Sequence, residues 1–144
     1  MVIVLRDDGR VLFIQRPAHD SYGGYWNPIT GGADDADALA LAETARREAR
    51  EEMGLDIEVL GKLWESTTRG AHYVLHWMLA QPVNDRSPKP DANEVADWKW
   101  LAVGELASLS PVFADTRMFF SEVWEEALQR LEDRLNRPDK EDWE

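Results

Sequence analysis

The chain has 144 residues, 44% of them hydrophobic, with seven Trp, no Cys and a formal net charge of −12. That length suits one compact domain, residues 1–144, with a core of useful size and a charged, frayed tail over 137–144. Zero Cys excludes disulfides, thiolate nucleophiles and Cys-ligated zinc, and a net negative charge without any Lys/Arg-rich run excludes polymeric RNA or DNA as a partner.

In chain order, the apolar runs 2–5 and 11–15 flank Asp7-Asp8-Gly9-Arg10. Asp-Gly between such runs predicts an opening β-hairpin. Residues 26–30 read as a short extended segment, which Pro28 confines to an edge or irregular strand, and Gly31-Gly32 then turns the chain. A helix is predicted over residues 37–53, where Ala38, Leu41, Ala42, Ala45, Ala49 and Met53 form a 3.6-period stripe of mostly small residues suited to close seating on a sheet. Strands are expected at 57–64 and 73–80. The connector 81–93, with Pro82, Pro88 and Pro90, is expected to be exposed. Residues 95–101 carry apolar side chains at 95, 98, 100 and 101, as a late strand or loop, and 103–109 and 115–135 predict helices, the last carrying Phe119, Val123, Trp124, Leu128, Leu131 and Leu135 as its apolar stripe. Periodicity alone implies a mixed α/β or α+β fold.

The face of the 37–53 helix opposite its apolar stripe is the most informative feature. Glu48, Glu51 and Glu52 stand at relative positions 0, 3 and 4 and share that face. Left to themselves they repel by roughly 0.2–0.5 kcal/mol per pair. A hard, oxygen-seeking ion such as Mg²⁺ or Mn²⁺ would turn that repulsion into coordination. The competing reading is a solvated salt-bridge lattice, with Glu43, Arg47 and Glu51 spaced i,i+4 and Arg46 and Arg50 nearby. His19, His72 and His76 lack zinc-ligand spacing, so zinc is not expected.

The stretch Arg47-Glu48-Ala49-Arg50-Glu51-Glu52-Met53-Gly54-Leu55, with Gly31-Gly32 about fifteen residues upstream, resembles the Nudix box of Mg²⁺-dependent hydrolases acting on nucleoside diphosphates linked to another moiety. The resemblance implies an α/β/α sandwich with a mixed central sheet and a catalytic helix. It implies that Glu48, Glu51 and Glu52 bind Mg²⁺ (or Mn²⁺), that the carbonyl of Gly31 or Gly32 adds a ligand, that Arg47 orients the carboxylates and that Gly54 is the left-handed stop of the helix. Glu52, Glu51 or Glu94 would take the proton from the attacking water. The front of the box departs from the pattern, because Leu39 stands where a Glu is usual. One extra residue in the loop 33–37 would let Asp35 or Asp37 replace it.

Other roles come only through the resemblance. Arg16, in Gln15-Arg16, matches a strand-end Arg with phosphate or structural contacts, against an ordinary surface Arg. Glu94, six residues before Trp100, matches a Glu that binds a further metal or acts as base, against an ordinary loop acid. Trp26, with Gly31 part of Trp26-Asn27-Pro28-Ile29-Thr30-Gly31, is similar to the substrate segment of nucleoside and dihydroneopterin triphosphate pyrophosphatases, against a plain core role. Tyr22, Tyr25, Trp64 and Tyr73 are unranked candidates for stacking on a base. A nucleoside or pterin triphosphate is thus the leading substrate class. ADP-ribose, nucleotide sugars and dinucleoside polyphosphates are alternatives, and a non-catalytic nucleotide sensor is the reading of another class. Isopentenyl-diphosphate isomerases share the fold but generally need a Cys. The expected setting is cytoplasmic, without a membrane: no apolar run reaches eighteen residues, and residues 1–6 lack the pattern of a signal peptide. A homodimer is compatible with this reading.

Overall fold

The structure, a computed structural model, describes residues 1–31, 38–67, 74–84 and 87–137. The elements are β1 (Val2–Val4), β2 (Arg10–Gln15), β3 (Trp26–Asn27), α1 (Ala38–Met53), β4 (Ile57–Thr67), β5 (Val74–Pro82), β6 (Asp97–Ala102), a 3₁₀ turn Val103–Ser108, α2 (Ala114–Met118), π-helical turns Phe119–Val123 and α3 (Trp124–Leu135). The strands form two three-stranded sheets, ordered β1-β5-β4 and β3-β2-β6.

The opening hairpin is only partly realised. Its turn closes, with Gly9 at φ +83° and the Arg6 N–H donating to the Arg10 carbonyl at 2.8 Å. Beyond the Leu5–Val11 bridge the strands part: β1 runs parallel to β5 in register Val2–Met78, and β2 pairs antiparallel with β6 in register Leu12–Trp100. The reason lies in burial. Val2, Ile3 and Val4 are all buried, so β1 needs cover on both faces, which an isolated hairpin lacks.

Alternation along these strands divides two apolar cores. Val2, Val4, Leu12, Ile14 and Ala80 face the layer of Ala45, Ala49 and Met53 from α1. Ile3, Val11, Phe13 and Leu79 face Phe119, Phe120, Trp124 and Leu131. Helices therefore cover both sides of a sheet region that mixes parallel and antiparallel pairs, the expected α/β/α arrangement. On α1, Leu41, Ala45, Ala49 and Met53 are buried at four-residue intervals, and the small Ala side chains let the helix seat closely.

The expected helix over 115–135 starts at Ala114 and is broken by the π-helical turns. These turns admit the adjacent Phe119 and Phe120 to one core. Phe119 stacks on Trp77 with centroids 4.1 Å apart, and Phe120 meets Phe13 at 5.5 Å. Pro28 ends β3 at Asn27, as its missing N–H requires. The predicted tail lies outside the described residues from 138 onward.

Candidate active site

The last turn of α1 delivers Glu52 to a cleft of about 370 Å³ lined also by Ile14, Arg16, Asp20, Asn27, Pro28, Thr30, Asn93 and Glu94. Four segments converge here: the end of β2, the loop 16–24, β3, and the loop before β6. The last is strapped to the helix end. Lys89 N–H donates to the Met53 carbonyl at 2.7 Å and Asp91 N–H to that of Glu52 at 2.9 Å, two of the carbonyls a helix C-terminus leaves free. Asp91 then organises the next turn, its carbonyl accepting from Glu94 and Val95 and its Oδ1 from the Asn93 N–H. Glu94 is thereby held beside Glu52.

Gly54 closes the helix at φ +60°, with its own N–H bonded to Arg50 and that of Leu55 to Ala49, the left-handed stop expected from the sequence. A Cβ on Gly54 would stand 3.0 Å from both Cβ and O of Lys89, so the strap needs this glycine.

The three acids of the helix diverge in their surroundings. Glu48 is half-buried against Gly31, where a Cβ would fall 2.3 Å from its Cγ. Arg47 bridges to Glu48 at 3.4 Å and to the exposed Glu51 at 3.8 Å. Part of the salt-bridge lattice is therefore real. Glu52 is different: its Oε2 is buried without a hydrogen-bond partner among the described residues. Burial, then the neighbouring Glu48 and Glu94 charges, push its carboxyl up to about 8, with Arg16 partly opposing them. Glu94 is raised as well, through lost hydration and then Asp91, Glu48, Glu51 and Asp20.

This donor set suits a hard divalent cation. The donors are carboxylate oxygens, one of them sequestered and unpartnered, and Gly31 brings main chain tight against Glu48. Among the described residues, however, no three acids or histidines already stand in ligating geometry. Mutual repulsion and the pull of Arg47 on two of the three account for the spread. Gly32, Asp35 and Asp37, named from the sequence as a ligand and as substitutes for the missing Glu, lie outside the described residues, as do His72 and Tyr73.

Arg16, Glu52 and Glu94 are thus brought together, whereas Trp26 is not part of the cleft lining. Its ring is buried in the core beneath α2 and α3, with the Lys99 ammonium 5.3 Å from its centroid. Trp64 likewise packs on Trp77 and Phe119. Tyr22 and Tyr25 cluster with Phe113 next to the loop that carries Arg16 and Asp20. Sequence reasoning did not single out Asp20, Asn27, Thr30 or Asn93. They sit in loops and on a two-residue strand, where no periodicity marks a side chain as facing a cleft.

A mixed fold with an acid-bearing helix ending at a polar cleft defines the class, and a family model agrees: the NUDIX domain matches residues 1–123, and the chain belongs to that family. These are pyrophosphohydrolases acting on compounds linked to a nucleoside diphosphate, and they generally use divalent metals. Solved structures with this fold include the Nudix hydrolase RenU from M. smegmatis, at 19% identity and TM-score 0.65, covering 90% of this chain and 83% of that one. An Ap4A hydrolase from C. elegans, in a binary complex, is similar at 18% identity and TM-score 0.63, covering 93% and 95%. The NUDIX domain of Shewanella oneidensis NrtR, complexed with ADP ribose, is similar at 20% identity and TM-score 0.60, covering 90% and 84%. No match was found among curated proteins.

Proposed function

We propose that this chain, as a single domain, hydrolyses a phosphoanhydride bond in a nucleoside or pterin triphosphate with Mg²⁺ or Mn²⁺. The observation that carries the reading is Glu52: a carboxylate oxygen buried without a partner, its proton affinity raised by that burial and then by acidic neighbours, at the wall of a cleft that also presents Arg16 and Glu94. A structural salt bridge would have satisfied that oxygen.

Glu48, Glu51 and Glu52, with the carbonyl of Gly31 or Gly32, are the residues to hold the metal. The bound ion would neutralise phosphate charge and acidify an attacking water. Arg47 restrains Glu48 and Glu51. Arg16 faces the phosphates, and Glu52, Glu51 or Glu94 accepts the proton from the water. The net charge of −12 keeps polyanions away, which supports a small-molecule substrate. Among the described residues no helix is long and apolar enough to cross a membrane.

A specific observation favours a second reading, that of a nucleotide sensor. Leu39, at the position where the resemblance calls for a Glu, is 66% exposed and contributes no oxygen. Phosphate and pyrophosphate release decides, measured on nucleoside triphosphates, dihydroneopterin triphosphate, ADP-ribose, nucleotide sugars and dinucleoside polyphosphates with Mg²⁺ or with EDTA. Turnover that needs metal and is lost in Glu52→Gln supports hydrolysis. Ligand binding without turnover on any of them supports the sensor.

A further inference from the structure

Arg16 and Glu52 line the same cleft, yet Glu52 Oε2 is buried without a hydrogen-bond partner. Arginine–carboxylate bonds are charge-assisted and strong, and a guanidinium on a long flexible stem is the natural group to swing across and satisfy that oxygen. It does not. Among the described residues only Asp20, at 4.0 Å, brings a carboxylate within ion-pair reach of Arg16.

Main chain holds Arg16 back. Its Nε gives its single hydrogen to the Ser21 carbonyl at 2.8 Å, which fixes the guanidinium plane and leaves both Nη groups without a hydrogen bond among the described residues. The direction of that carbonyl is set by the residue after it. Residues 20–23 form a turn closed by the Gly23 N–H on the Asp20 carbonyl at 3.0 Å, and Tyr22, third in the turn, is the only described non-glycine residue with a positive φ, at +56°. Positive φ at the third position alone marks a type II turn, which differs from type I by roughly half a rotation of the peptide plane between the second and third residues. Here that plane carries the Ser21 carbonyl. With a negative φ at Tyr22 the oxygen would point away from Arg16.

Such a φ suits Gly or Asn and is unfavourable for Tyr. The Tyr22 ring is 64% exposed, so burial does not account for a strained Tyr at this place. Edge contacts to Tyr25 and Phe113, with centroids 5.5 and 5.3 Å away, hold it, and the Tyr25 N–H donates to the Tyr22 carbonyl at 3.1 Å. The base of the loop is closed on Arg16 itself, whose N–H donates to the Tyr25 carbonyl and whose carbonyl accepts from Gly24, both at 2.9 Å.

We propose that Tyr22 is a positioning residue: the turn it imposes on residues 20–23 aims the Ser21 carbonyl at Arg16, and this tether keeps Arg16 off the cleft acids and open to a ligand phosphate. Released, the guanidinium would pair with Glu52 or Glu94, and both partners would be lost to the ligand. The inference rests on the reading of Arg16 as the residue that faces the phosphates.

Methylenediphosphonate, a diphosphate mimic with neither a heterocycle nor a cleavable anhydride, isolates the phosphate contact, and calorimetry with Mg²⁺ reads its affinity for the full chain. Arg16→Ala should weaken binding at least about tenfold, the worth of a charge-assisted hydrogen bond. Tyr22→Val, whose branched Cβ all but forbids positive φ, should weaken it at least about fivefold with Arg16 intact. Tyr22→Gly loses the ring but favours the same φ, and should bind within about twofold of the parent. A merely structural Tyr22 would lower the melting temperature in both variants and leave affinity alone. Should Tyr22→Val fail to fold, Gly23→Ala, whose Cβ would stand 2.6 Å from the Ala18 carbonyl oxygen, opens the same turn and should lose the same factor. Parental affinity in Tyr22→Val or Gly23→Ala overturns the proposal, as does Arg16→Ala without effect. So does a Tyr22→Gly as weak as Tyr22→Val, which makes the ring rather than the turn the active part. No turnover on any substrate, with these affinity differences intact, sinks the hydrolase reading and leaves the tether standing, whereas metal-dependent turnover with Tyr22→Val binding like the parent does the reverse.

Discussion

Glu52→Gln should make the metal-free protein more stable at alkaline pH while abolishing its activity. The Glu52 carboxyl is held at about 8 rather than 4.5, by burial first and then by Glu48 and Glu94. Between those two values the folded chain retains a proton that the unfolded chain has released. Stability therefore falls as pH rises from about 5 to 8 and levels off above. At about 1.4 kcal/mol per pH unit the unscreened cost of ionising Glu52 at pH 8 is about 4 kcal/mol. Part of the side chain reaches solvent, and screening brings this to roughly 2 kcal/mol. Gln is neutral and of the same size, so in EDTA at pH 8 the variant should melt roughly 5 °C above the parent, and at pH 5 the two should nearly coincide. Mg²⁺ should raise the parent's melting temperature and leave the variant's almost unmoved. Thermal melts from pH 5 to 9, with EDTA and with Mg²⁺, read all of this. A parent whose stability does not fall across that window, or a variant no more stable at pH 8, would refute the argument that Glu52 is a strained, unpaired acid.

Three other perturbations follow from the packing. Gly31→Ala places a Cβ 2.3 Å from Glu48 Cγ, so Glu48 must move; Mg²⁺ affinity measured by calorimetry should fall at least about tenfold, more than folding stability suffers. Gly54→Ala forces a left-handed φ of +60° on a residue with a Cβ and crowds Lys89, which should cost about 1–3 kcal/mol in urea unfolding and loosen the strap that carries Glu94. Phe119→Ala removes a fully buried ring stacked on Trp77, and a loss of about 3–5 kcal/mol is expected from chemical denaturation, with a change in Trp fluorescence.

Helix α1 was legible because one period served two purposes: small apolar residues every fourth position, with Glu48, Glu51 and Glu52 on the far side and Gly54 as the stop. All of that is local, set by 3.6 residues per turn and by the freedom of glycine at positive φ. The strands were legible as elements, through apolar runs bounded by turn residues, but their partners were not. Whether β1 paired with β2 or with β5 depended on which face needed covering, a quantity that exists only once the helices have docked. The break at Phe119 was hidden for the same reason, since it accompanies ring contacts with Trp77 and Phe13 that exist only once distant strands have packed.

Sequence alone thus determined the family motif, the acidic face and the chemistry its oxygens suit, because these lie within one continuous helix and the turns that bound it. Tertiary structure decided what the acids experience. Glu48, Glu51 and Glu52 are equivalent by spacing, yet only Glu52 meets a cleft wall that strips its hydration and a second acid, Glu94, brought forty-two positions along the chain by a strap of two hydrogen bonds. It decided too that Asn27 rather than Trp26 faces the cleft, with a hydroxyl from position 116 behind it. Burial and long-range contact set proton affinity and cleft lining, and neither is encoded in any short stretch of sequence.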